Sequence, residues 1–227
     1  MSAPAVLMQL QALADPDYRA FHCRLIPTVP PERVLGVRTP ALRRYARQLA
    51  GTPQAEDFLK ALPHRYYDEN NLHAFLLEQI REPMRVVAAV DGFLPFVDNW
   101  ATCDMMSPPV FRRRPEELEP AVCRWLADAH PYTRRYGINC RMRYFLTDDC
   151  FSPEQAAAIA GLPTGDYYVR MGAAWYFATA LAMQPRAILP YFTERLLPPE
   201  VWSPAVRKAL ESRRIPPAQK ALLRSLR

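Results

Sequence analysis

Lysine is nearly absent: the 29 basic residues include only Lys60, Lys208 and Lys220, and the other 26 are arginine. Glycine is scarce as well, with 7 glycines against 24 prolines. That balance disfavours glycine-turn hairpins and favours rigid breaks between short helices. No Gly-X-Y period exists, so a collagen-like chain is excluded. The five cysteines, Cys23, Cys103, Cys123, Cys140 and Cys150, are odd in number and widely spaced. With no C-x-x-C and no nearby histidine pair, neither a zinc site nor a disulfide framework is expected. No run approaches the roughly 18 apolar residues of a membrane span. The opening MSAPAVLMQLQALADPDY lacks a basic n-region, and Gln9 and Gln11 break its apolar stretch in a helical rhythm. It reads as the start of a cytoplasmic protein without a signal peptide.

What remains is a chain of 227 residues, 50% hydrophobic and 23% charged, which is enough apolar material for a substantial core. No linker longer than the proline-rich stretch 26–39 interrupts it, so residues 1–227 read as a single domain. The net charge of +6 and pI near 9.2 permit nucleic acid as a partner without demanding it. An arginine surface suits bidentate contact with phosphate. A GC-rich coding sequence gives the same arginine bias with no function attached.

Helical periodicity recurs from end to end, and alternating β-branched runs are almost absent, so the expected class is all-α. The spacing predicts helices over about residues 5–14, 17–25, 39–50, 55–62, 69–81, 84–93, 98–106, 115–129, 132–146, 153–160, 165–183, 185–196, 199–212 and 217–226. Prolines behind a polar residue mark several openings, as at Ser152-Pro153 and Ser203-Pro204. Short helices with tight links suit antiparallel pairs repeating every ~35 to 45 residues, the rhythm of HEAT-type or ARM-type solenoids with a concave basic groove. A compact irregular bundle is the structural alternative.

In the run Phe96 to Asp104, FVDNWATCD, Asp98 reads as an N-cap, and Trp100 and Asp104 stand at i and i+4 on one helix face. Arg135 lies in YTRRYGI (Tyr132 to Ile138), and Trp175 in DYYVRMGAAWY (Asp166 to Tyr176). Positions about one repeat apart return to the same face of a solenoid, so Trp100, Asp104, Arg135 and Trp175 can converge. Two indoles attract a cation. A carboxylate about 4 Å from a positive centre contributes on the order of 4 kcal/mol at an effective dielectric of 20. Such a set suits a substrate that is cationic or becomes so as a bond breaks. It does not suit proton relay to a nucleophile: no histidine lies near, and Ser, His and Asp show no hydrolase-like arrangement. Taken singly, Trp100 and Trp175 read more readily as core than as site residues, and Trp125 and Trp202 are taken as core. Arg112, Arg113 and Arg114 precede the helix opening at Pro115 and, with Arg134, Arg141, Arg143 and Arg170, can form a phosphate track; a solvated basic loop is the other reading. His22, His64, His73 and His130 are scattered and carry no assigned role.

Taken together, GVRTPALRR (Gly36 to Arg44), VDNWATCD (Val97 to Asp104), YTRRYGI (Tyr132 to Ile138) and DYYVRMGAAWYFATAL (Asp166 to Leu181) resemble the AlkD-like DNA alkylation repair proteins. The resemblance runs in order over nearly the whole chain. It implies a HEAT-like solenoid that holds duplex DNA and excises cationic bases such as 3-methyladenine and 7-methylguanine, without a metal or organic cofactor. By that resemblance Trp100 and Asp104 supply the aromatic wall and the catalytic carboxylate, Arg135 is the groove arginine and Trp175 the second cleft tryptophan. Arg134, Arg112, Arg113, Arg114, Arg170 and Tyr168 complete the expected DNA contacts of a monomeric protein. One segment departs from the pattern. Where active members carry a DNA-gripping helix, residues 25–34 hold Pro27, Pro30 and Pro31, so a full helix is not expected there. A non-catalytic module that binds DNA of unusual structure is therefore the alternative function.

Overall fold

A computed structural model describes residues 4–226; the first three residues of the opening stretch and Arg227 lie outside it. The described chain is all-helical, with fourteen α-helices and no strand beyond an isolated bridge between Ala14 and Val37. The all-α expectation holds, and the packing of helices on their neighbours is consistent with an α-solenoid. No helix among the described residues is long and apolar enough to cross a membrane.

The chain divides into two compact units, one ending at Glu117 and the other starting at Leu118. The first holds α1 (Pro4–Ala12), α2 (Pro16–Cys23), α3 (Thr39–Leu49), α4 (Pro53–Lys60), α5 (Tyr67–Leu77), α6 (Pro83–Phe93) and α7 (Trp100–Met105). The second holds most of α8 (Pro115–Ala127), then α9 (Pro131–Tyr144), α10 (Pro153–Ala160), α11 (Tyr167–Met183), α12 (Pro185–Thr193), α13 (Pro199–Glu211) and α14 (Pro217–Ser225). Most begin on a proline, whose missing N–H falls among the donors that a first turn leaves unpaired anyway. At the opening expected at Ser152-Pro153, Ser152 and Gln155 form a capping box. Pro204, by contrast, does not open a helix. It sits inside α13, which starts at Pro199, and its missing N–H leaves the Glu200 carbonyl without the donor a helix would give it.

In the first unit α5 is buried along its whole length, including its polar run Asp68, Glu69, Asn70 and Asn71. Around it pack Val6 and Leu10 of α1, Leu42 and Ala46 of α3, and Phe58 of α4. The buried carboxylate of Asp68 is answered by the backbone: Leu35 N–H at 2.6 Å, Gly36 N–H at 3.4 Å and Val37 N–H at 2.7 Å. Gly36 has φ 90°, and a Cβ there would stand 2.5 Å from Arg19 Cβ, so only glycine fits. Residues 25–34 form turns and a single 3-10 turn (Pro31–Arg33), in line with the prolines, and bury Ile26, Val29 and Val34.

In the second unit α11 plays the corresponding part, packed against α9, α12 and α13. Val169, Ala173, Ala174, Tyr176, Phe177 and Leu181 of this helix are buried. Its exposed positions fall at Tyr167, Trp175 and Met183, 57%, 37% and 37% exposed.

Candidate functional site

Helix α7 has six residues, too few to be stable unless both ends are fixed from outside. At its start the fully buried Asn99 accepts from Thr102 N–H at 2.8 Å and donates through Nδ2 to Thr102 Oγ1 at 3.0 Å. The Thr102 hydroxyl in turn donates to Asn71 Oδ1 of α5 at 2.7 Å. The N-cap is thus Asn99, not the expected Asp98. A neutral amide can both accept and donate in a dry cap, where a carboxylate would bury an unanswered charge. Asp98 remains partly exposed and pairs with Arg33 at 3.0 Å.

At the other end, Arg43 of α3 donates through Nη2 to the Met105 carbonyl at 3.3 Å and forms an ion pair with Glu78 just past α5. Glu78 also accepts from Ser107 N–H at 2.9 Å and from Ser107 Oγ at 3.3 Å. The Arg43 guanidinium lies 4.0 Å from the centre of the Phe75 ring. Asn71 and Glu78 are seven residues apart, two helical turns on one face, so a single helix edge holds both ends of α7.

Between those anchors stand Trp100 and Asp104, both half-buried. The Trp100 indole N–H donates to the Leu25 carbonyl at 2.9 Å, and its ring packs on the cluster of Ile26, Val29, Val34 and Tyr67. Behind the ring, Tyr67 hydroxyl and His22 Nε2 are 2.7 Å apart, and burial pulls the His22 pKa down. The proline-bent segment is therefore part of the setting that fixes the Trp100 indole.

The second unit brings the remaining candidates onto α9 and α11. Arg135 is 6% exposed and donates to the Tyr168 carbonyl at 2.6 Å. Gly172 packs beside it: a Cβ there would meet Arg135 Nη1 at 3.4 Å, about an ordinary contact. Tyr168 tilts against Tyr132 with ring centres 5.5 Å apart. Asp166 caps α11, accepting from Tyr168 N–H and Val169 N–H at 2.8 and 3.0 Å. Arg170 reaches the Thr164 carbonyl at 3.3 Å, and Arg134 the Leu126 carbonyl at 3.2 Å.

The expected set therefore divides into Trp100 with Asp104 on α7, and Arg135, Arg134, Tyr168, Arg170 and Trp175 on α9 and α11. Arg112, Arg113 and Arg114 are exposed, and Arg114 is taken up by Glu117 of the following helix, α8, at 2.9 Å. Asn71, Arg43, Glu78 and the Leu25 carbonyl had no place in the sequence reading. Arg43 lies within GVRTPALRR, but nothing local in that run says which carbonyl it reaches. Among the described residues no group of three or more His, Cys, Asp or Glu side chains is placed to hold a metal ion.

A family model described as DNA alkylation repair enzyme matches residues 6–180, well over half of the chain. No curated protein matches it.

Proposed function

The chain belongs to the DNA alkylation repair enzyme family, and from that premise we propose that it is a monofunctional DNA glycosylase of HEAT-like build that excises cationic alkylated purines from duplex DNA. DNA alkylation repair is the role the family supports, with DNA as the partner. The observation that carries the finer reading is α7: a six-residue helix fixed at both ends, presenting Trp100 and Asp104 one turn apart and half exposed.

In this reading a base such as 3-methyladenine or 7-methylguanine leaves as the bond between C1′ and the base nitrogen breaks. The electron pair goes with the base and neutralises it, and positive charge moves to an oxocarbenium-like sugar. Asp104 stabilises that charge and orients the water that adds to C1′, whose extra proton passes to solvent. The indoles of Trp100 and Trp175 make cation–π and C–H/π contacts with base and sugar, each worth about 0.5 to 2 kcal/mol when water is excluded. At about 4 Å and an effective dielectric of 20, the carboxylate contributes on the order of 4 kcal/mol, or a thousandfold in rate. The chemistry is electrostatic stabilisation of developing charge and calls for no metal or organic cofactor.

Arg112, Arg113, Arg114, Arg134, Arg170 and Tyr168 serve as DNA contacts in the same proposal. The buried Arg135 acts by holding the Tyr168 carbonyl. The protein works as a monomer in the cytoplasm. A second reading, binding of unusually structured DNA without excision, is favoured by residues 25–34, which hold no α-helix and use the Leu25 carbonyl to hold Trp100.

The test is base release from methylated duplex DNA by the parent protein and by Asp104→Asn at equal folded concentration. Release by the parent that falls about a thousandfold in the variant is expected. Release by neither protein, with DNA binding intact, selects the second reading.

A further inference from the structure

Beside the segment that leaves α7, the first unit has a cleft of about 430 Å³ lined by Glu78, Gln79, Arg81, Pro109, Val110 and Arg113. Its charges are unevenly answered. The Glu78 side chain is only 6% exposed and is occupied by Arg43 and by Ser107, so it offers the cleft little negative charge. Glu82, next along the chain, spends both oxygens on the first turn of α6, accepting from Met84 N–H at 3.0 Å and Arg85 N–H at 2.6 Å. Arg81 and Arg113 are exposed and lie within 4.0 Å of no carboxylate among the described residues, whereas neighbouring Arg114 has Glu117. The Gln79 amide is turned back onto the Phe75 carbonyl at 3.1 Å. A cleft with two unpaired guanidinium groups and a neutralised floor presents net positive charge in a shaped space.

Guanidinium forks match a tetrahedral oxyanion with two parallel N–H donors each, and the match is better for phosphate than for a point anion. We propose that this cleft seats one backbone phosphate of duplex DNA between Arg81 and Arg113. The proposal rests on DNA being the partner and not on excision. Arg81 thereby becomes a DNA contact that no sequence motif singled out, and Arg113 acquires a defined mate. Glu78 links the cleft to Ser107 and, through Arg43, to the Met105 carbonyl, so the phosphate seat and the α7 terminus share one carboxylate anchor.

The experiment is equilibrium binding of unmodified duplex DNA across a salt series, for the parent, Arg81→Gln/Arg113→Gln and Arg81→Lys/Arg113→Lys. Thermal melting of each variant, with and without inorganic phosphate, runs in parallel. One lost phosphate contact lowers the slope of log K against log salt by about 0.9, which is about an eightfold loss of affinity at 0.1 M salt. The glutamine pair is expected to show that loss with parental melting. The lysine pair keeps the parental slope, because charge is retained and only the fork geometry is lost.

A glutamine pair with the parental slope overturns the site. So does a parent that binds duplex without salt dependence, which removes the DNA-partner reading with it. A glutamine pair that loses only a phosphate-induced rise in melting temperature, with duplex binding unchanged, overturns it in favour of free phosphate. Failure of excision alone reads differently: Asp104→Asn would lose base release while keeping the full salt slope.

Discussion

Trp100 joins two properties that a single substitution can separate. Its ring packs on Ile26, Val29 and Val34, and its N–H holds the Leu25 carbonyl. Trp100→Phe keeps a ring and removes the donor, so a stability loss of about 1 kcal/mol is expected in urea unfolding. Trp100→Ala also removes the aromatic face and should lower base release a further ~2- to 30-fold, the worth of one cation–π contact. Equal release by the two variants would show that the ring face is not used. The i, i+4 relation of Trp100 and Asp104 was legible from sequence because helical spacing alone sets it. The cap was not, since Asp98 and Asn99 are adjacent and equally suited by type. Only burial decides between them, and burial is a property of the folded unit. The exposure of Trp175 on a helix otherwise apolar on nearly every side was hidden for the same reason.

Elements this short owe their order to their neighbours. Asn99→Ala removes the cap and also leaves Thr102 Oγ1 without its Nδ2 donor, so a loss somewhat above the usual ~1 kcal/mol for a cap is expected. Glu78→Ala should cost more, about 2 to 3 kcal/mol. It strands the Ser107 N–H and an arginine that is about one-third exposed, which holds the figure below that of a fully buried pair. Urea midpoints of the two variants check the ranking, and Glu78→Ala proving the milder would deny α5 its role in fixing the end of α7. Helix positions were readable because so many openings carry a proline at the first turn, as at Pro53, Pro83 and Pro131. Pro204 misled because a proline can stand inside a helix at the cost of one hydrogen bond, as Pro120 and Pro190 also do, and does not by itself mark where a helix begins. The anchoring of α7 was beyond reach from sequence: Arg43 and Met105 are 62 residues apart, and no periodicity reports such a pairing.

At the scale of the molecule, acid acts unevenly on the two units. His64 and His73 are buried side by side in the first, with His64 Nε2 2.9 Å from His73 Nδ1. His64 stacks on Phe58 at 4.3 Å and His73 on Phe93 at 4.1 Å. Burial pulls the His64 pKa down to about 4 and that of His73 well below its ordinary value; His22 shifts in the same direction. The unfolded chain therefore binds more protons than the folded one between about pH 4 and the free-histidine value near 6.5, so stability rises with pH through that window and is fully present above it. Each fully shifted histidine adds a slope of up to about 1.4 kcal/mol per pH unit. Asp68 opposes them: burial raises its pKa above the ordinary carboxylate value, so its protonation favours the fold. Three lowered histidines against one raised carboxylate set the sign of the expected response between pH 7 and pH 5.5. The second unit has only His130, half-buried at the start of α9, where its ring caps Thr133 N–H at 3.3 Å. Hydrogen exchange, corrected for the intrinsic pH dependence of amide exchange, should show protection across α4 and α5 falling between pH 7 and pH 5.5 while α11 changes less. His64→Leu should flatten the change in α4 and α5. An equal loss of protection in both units, or none in either, would mean that the buried histidine pair does not govern the response to acid.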